Sequence, residues 1–184
     1  MSRRNRLLVM AAAVGATFAV TATGSVAAPG DVDSFGGNIF REQLSGYNET
    51  LLAVSTPANG TFRVLINERA GEIRWALTYA ENPTPVTQAH VHFGSAAQSG
   101  GISFFLCANP PIAPPVPTQA CPAAPASITG TITAADVIGP AAQGIGVGEF
   151  TEIVNAMRAG FTYVNVHTAE RPAGEIRAQL DHHH

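Results

Sequence analysis

From Phe40 onward the apolar residues recur mostly at every second position, the period of strands that bury one face. The alternation predicts strands over residues 40–46, 61–67, 73–79, 86–93, 102–107, 127–133, 161–168 and 175–180. The second and third of these flank Glu68-Arg69-Ala70-Gly71-Glu72, a short glycine-containing turn, and are expected to form a hairpin. One segment breaks the rhythm. Residues 149–159 carry Phe150, Ile153, Val154 and Met157 at helical spacing between Gly148 and Gly160, which predicts a short amphipathic helix leading into the next strand. The Pro/Ala-rich stretch 110–126 and the Gly-rich stretch 139–148 read as long surface connections. Many short strands, long loops and one helix point to an all-β chain folded as an antiparallel β-sandwich or flattened barrel.

The first thirty residues follow a different logic. Arg3, Arg4 and Arg6 precede an apolar run from Leu7 to Val20, and Ser25-Val26-Ala27 offers a small-x-small cleavage pattern. This is the layout of a secretory signal, with removal expected after Ala27. Gly15, Thr17, Thr21, Thr23 and Gly24 interrupt the run, which falls short of the roughly 20 residues that a membrane span needs. Stable membrane insertion after signal removal is therefore not expected. Ser2-Arg3-Arg4-Asn5-Arg6-Leu7-Leu8 also resembles a twin-arginine signal, with Arg6 standing where that motif usually has an aromatic residue. The expected organisation is a signal at 1–27, a linker at 28–39, one domain at 40–181 and a histidine tail at 182–184 that is either native or an appended tag.

Export sets the reading of the two cysteines, Cys107 and Cys121. In an oxidising compartment they are expected to form a disulfide that closes the proline-rich loop between them, and a metal site is the alternative. Charge narrows the partners. The 184-residue chain holds 10 basic and 13 acidic residues, and losing the three signal arginines leaves a balance of −6 with no basic run. That argues against nucleic acid or an anionic membrane as partner.

The candidate chemistry lies in the histidines. In Ala89-His90-Val91-His92-Phe93 the alternation puts both imidazoles on one face and the apolar residues on the other. In Tyr163-Val164-Asn165-Val166-His167 it turns the valines to the core and Tyr163, Asn165 and His167 away from it. All three histidines are thus expected on the outer surface of the sheets. Histidines two apart on a strand stand about 6–7 Å apart at the backbone, close enough for both rings to reach one ion. His90, His92 and His167 are therefore candidate ligands for copper or zinc, with hydrogen-bonding histidines on a polar face as the alternative the pattern leaves open. Asn165 and Glu175 share the outward face and are candidates to support the rings, Glu175 by orienting His167; a plain surface pair of Glu175 with Arg177 is the other reading. No nucleophile elbow, phosphate-cradling loop or HExxH helix occurs, so catalysis is not expected.

Several blocks together resemble the CHRD domain, named for chordin and also found as a single unit in secreted bacterial proteins. They are Leu44-Ser45-Gly46, Thr56-Pro57-Ala58-Asn59-Gly60-Thr61, Ala89-His90-Val91-His92, Tyr163-Val164-Asn165-Val166-His167-Thr168 and Gly174-Glu175-Ile176-Arg177, and the resemblance covers about residues 40–180. The chain departs from the pattern after Glu49, where Thr50-Leu51-Leu52-Ala53-Val54 replaces a Pro-Pro-Val continuation, and at Phe93, where glycine is common. The resemblance implies an immunoglobulin-like β-sandwich distantly similar to copper/zinc superoxide dismutase, which also carries a His-x-His pair on the outside of its barrel. It does not imply dismutase activity. That chemistry needs a fourth copper histidine and a His/Asp zinc cluster, whereas the only other histidines here are in the tail, and residues 108–120 hold neither Asp nor His.

Two functions follow as expectations. One is a secreted or envelope module that recognises a protein or matrix partner, as the domain's presence in chordin implies, with residues 110–126 as a contact loop. The other is an exported copper- or zinc-binding protein that uses the histidine trio.

Overall fold

The computed structural model describes residues 38–82 and 84–181. The segment read as a signal, most of the linker and the histidine tail lie outside these. Eight antiparallel strands follow in chain order: β1 (Ile39–Ser45), β2 (Asn59–Asn67), β3 (Glu72–Ala80), β4 (Val86–Phe93), β5 (Gly101–Ala108), β6 (Ala126–Ile132), β7 (Thr162–Thr168) and β8 (Ile176–Leu180). The single α-helix, α1 (Phe150–Arg158), lies between β6 and β7. Each strand and the helix fall within two residues of the bounds that the alternation predicts.

Strand order is β5-β4-β7-β8-β1-β2-β3-β6. The sheet is nearly cut in two, because β8 and β1 pair only at Ser45 and Arg177. Two four-stranded halves result, β5-β4-β7-β8 and β1-β2-β3-β6, with the apolar residues of both gathered in one core. Phe40, Phe62, Leu77, Val91, Phe104, Val164 and Ile176 are among its fully enclosed side chains. The fold is the antiparallel sandwich with one short helix that the sequence implies.

The helix adds Ile153, Val154 and Met157 to the core. It stops where Gly160 takes a positive φ of 72°, with Phe161 N–H bonded to the Ala156 carbonyl and Gly160 N–H to that of Met157. These paired bonds form a Schellman motif, which favours glycine at that left-handed position and turns the chain directly into β7. Among the described residues no helix is long and apolar enough to cross a membrane. Cys107 and Cys121 form a disulfide.

The two halves differ on their outer faces. β2 and β3 bury alternate residues and leave the others to solvent, as a one-sided sheet should. β7 is buried at all seven positions, and β8 at every position except Gln179. A second, polar layer therefore covers β4, β7 and β8 on the side away from the core.

Candidate metal centre

The covering layer corrects one expectation. His90, His92 and His167 do point away from the core, but they are 1%, 9% and 6% exposed and do not lie on an outer surface. Alternation assigns a residue to one of two faces; it carries no information on whether loops cover that face.

Pairing brings the three rings together. On β4 and β7, His90 lies opposite Asn165, His92 opposite Tyr163 and Gln88 opposite His167. Each histidine also sits beside an irregularity. β5 inserts an extra residue opposite β4 between Ala89 and His90 and again between Val91 and His92, and Thr87 is the extra residue in the β4–β7 register next to His167. Bulges of this kind twist a strand and re-aim its side chains. The ring centroids of His90 lie 4.5 Å from those of both His92 and His167, and one ring nitrogen from each of the three lies within 4.8 Å of the others.

Two rings are fixed from behind. His92 Nδ1–H donates to the Gly100 carbonyl at 2.8 Å, and His167 Nδ1–H donates to the Pro172 carbonyl at 3.0 Å. A carbonyl only accepts, so the proton sits on Nδ1 and the lone pair on Nε2 in both neutral rings. Those Nε2 atoms, together with His90 Nδ1, are buried and have no hydrogen-bond partner. Burial pushes His92 and His167 down to about 4 and His90 well below its ordinary value, with repulsion among the rings lowering His90 and His92 further. The trio therefore stays neutral, with lone pairs free, in ordinary buffer.

Tyr163, Arg177 and Gly100 complete the surroundings. Tyr163 stacks on His92 with centroids 4.6 Å apart, and the Arg177 guanidinium carbon lies 3.4 Å from the Tyr163 ring centroid. Arg177 also donates to Thr50 Oγ1 and to the Ser95 and Gln98 carbonyls, which ties together the two loops that cover this face, 46–58 and 94–100. Gly100 N–H donates to Tyr163 Oη while its carbonyl holds His92. A Cβ at Gly100 would collide with the Phe93 carbonyl, so only glycine fits this double role. A cleft of about 710 Å3, lined in part by Tyr47, Asn48, Glu49, Ala96 and Arg177, approaches this layer from solvent.

The other expected site residues have different work. Glu175 Oε2 accepts from the Thr168 hydroxyl, and the group that orients His167 is the Pro172 carbonyl. Glu175 and Arg177 are both buried, so they form no surface pair. Asn165 donates to Glu49 Oε1 and to the Ile176 carbonyl, which pins the 46–58 loop to β7 and β8. Sequence reasoning passed over Gly100, Pro172 and the structural part of Tyr163; the Gly100-Gly101 pair ahead of a strand was the available signal.

The family model described as the CHRD domain matches residues 40–180. Comparison with curated proteins and comparison with solved structures each return no match.

Proposed function

This chain belongs to the CHRD domain family, and we propose that it is an exported metal-binding module that holds copper or zinc at His90, His92 and His167. The observation that carries the reading is the set of three partnerless buried ring nitrogens. Leaving one such group unsatisfied costs about 1–3 kcal/mol, so three in one cluster are a substantial burden on the fold. Buried side-chain polar atoms kept for structure alone are in the large majority hydrogen-bonded to protein or ordered water. A single ion accepts all three lone pairs, and drawing the rings onto it at about 2.0–2.1 Å requires each to shift by under about 1 Å. The carbonyls of Gly100 and Pro172 support the same reading, because a ligating imidazole is commonly held through its other nitrogen. An ion bound there is cargo or a structural centre; the chain's own part is to hold the rings neutral and aimed.

The test is metal analysis of the full chain with His182, His183 and His184 replaced by alanine, purified and reloaded with copper or zinc. The reading expects one ion per chain, lost in His92→Ala. Equal metal content in the two proteins would refute it.

Recognition of a protein or matrix partner draws on a different feature. Leu51 and Leu52 are 92% and 81% exposed, and Tyr47 projects from the same loop. The 110–126 stretch is held down instead, by Tyr79 Oη on the Pro122 carbonyl and Gln119 on the Thr129 carbonyl. Retention of every partner by a Leu51→Asp/Leu52→Asp variant in cross-linking of secreted proteins would exclude this loop as the contact.

A further inference from the structure

The trio is a donor set without charge. Among the described residues no Asp, Glu or Cys joins the three neutral imidazoles. Two acids on this covered face are engaged away from the rings, Glu175 with Thr168, and Glu49 with Asn165 and, through its charge, with Arg177. The fixed charge one ring away is positive, since Arg177 lies over Tyr163 and Tyr163 stacks on His92. An ion held here meets no counter-charge among its ligands and a guanidinium behind one of them. The cost of taking an ion out of water rises with the square of its charge, so a dication costs about four times as much as a monocation of equal size. Its repulsion from Arg177 is also doubled.

Coordination number points the same way. Zinc is almost always four-coordinate, and here a fourth ligand has to be water. All three rings are buried, Tyr163 stacks on the face of His92 and Phe105 packs T-shaped with His90 at a centroid distance of 5.2 Å, so a water in the fourth position would itself have to be buried. Copper in its monovalent state is satisfied by three donors; imidazole suits copper and zinc alike, so the choice rests on charge and coordination number and not on donor type.

Resting on the metal reading above, we infer that the His90–His92–His167 centre is selective for Cu(I), held by three imidazoles with no fourth ligand. The site then takes reduced copper and discriminates against divalent copper and zinc through the absence of a counter-charge and of a fourth position.

The full chain with the tail histidines replaced by alanine is titrated without oxygen with Cu(I) in competition with bicinchoninate. Cu(II) and Zn(II) are titrated separately against competing chelators. Copper K-edge absorption is recorded on the Cu(I) form. The expected result is one Cu(I) per chain with three nitrogen neighbours, and an affinity at least about tenfold, or about 1.4 kcal/mol, above those for Zn(II) and Cu(II). Zn(II) or Cu(II) held at one per chain as tightly as Cu(I), and lost in His167→Gln, overturns the choice of ion while leaving the metal reading in place. No histidine-dependent binding of any of the three ions overturns both. The comparison among ions is made on the intact trio, so it does not depend on a variant folding; circular dichroism of His167→Gln separates loss of a ligand from loss of the fold.

Discussion

A buried imidazole can be folded neutral and unfolded charged, and this difference links the trio to pH. His92 and His167 titrate at about 4 in the fold, against about 6.5 in an open chain. Between those values the unfolded chain takes up protons that the folded chain does not, so the stability tied to each ring is full above about pH 6.5 and is lost as pH falls toward 4. The loss approaches roughly 3 kcal/mol per ring at the acid end. Glu49 acts in the opposite sense. Burial raises it from 4.5 to about 7, so its contribution is full below pH 4.5 and fades as pH rises through 7. It is only half-buried, and solvent screening leaves it smaller than the two rings together. Urea unfolding of the metal-free chain between about pH 7.5 and 4.5 is therefore expected to show stability falling with acid. A His92→Gln/His167→Gln variant should flatten that slope, and an unchanged slope would assign the proton uptake to other groups. Protons and metal compete for the same lone pairs, but the folded rings stay neutral down to about pH 4, so loading should weaken only as pH approaches that value.

At the scale of elements, the question is what keeps two polar loops closed over a polar face. Hydrophobic burial contributes little there, and the connections converge on Arg177. Its guanidinium reaches Thr50 in one loop and the Ser95 and Gln98 carbonyls in the other, while Thr50 Oγ1 also bonds Ser99 Oγ at 3.0 Å. Arg177 also lines the solvent-filled cleft beside Glu49, and through Tyr163 it is one ring away from His92. Arg177→Met keeps an apolar stem over Tyr163 but removes every donor. Stability is expected to fall by about 2–4 kcal/mol, because the two carbonyls lose a charged partner. Hydrogen exchange in 46–58 and 94–100 should speed up, and bound metal should pass to a chelator faster. Arg177→Lys should recover only part of this, since an ammonium cannot span three acceptors with the planar fork of arginine. Unchanged exchange and transfer rates in Arg177→Met would mean that the loops are held by other contacts.

For the whole molecule, the same two-residue period carried both the success and the limit of the sequence reading. It located β4 at residues 86–93 and set His90 and His92 on the face opposite Val91, because those are properties of one strand. It missed the cover over β7, which comes from loops distant in sequence with little apolar periodicity of their own, and it missed the bulges, which exist only in the pairing of two strands. The cysteine pair shows how a local signal can carry a global consequence. Strand pairing joins the two half-sheets only at β1 and β8, leaving β5 and β6 as the free edges. The loop between those edges runs from Cys107 on β5 through Cys121 toward β6, with the Gln119 side-chain amide donating through Nε2–H to the Thr129 carbonyl and Asn109 Nδ2 donating to the Val86 and Cys121 carbonyls. The disulfide therefore helps close the sandwich on the side that has no strand pairing. Closing a 14-residue separation is worth about 3 kcal/mol through the unfolded chain. Cys107→Ala/Cys121→Ala should lose about that much stability, with faster exchange concentrated in β5 and β6. Metal affinity should change little, because the trio lies on the far face of β4 and β7 from the core and is held by loops that the disulfide does not touch. Loss of metal together with the disulfide would show instead that the bulged pairing of β5 with β4 transmits strain to His90 and His92.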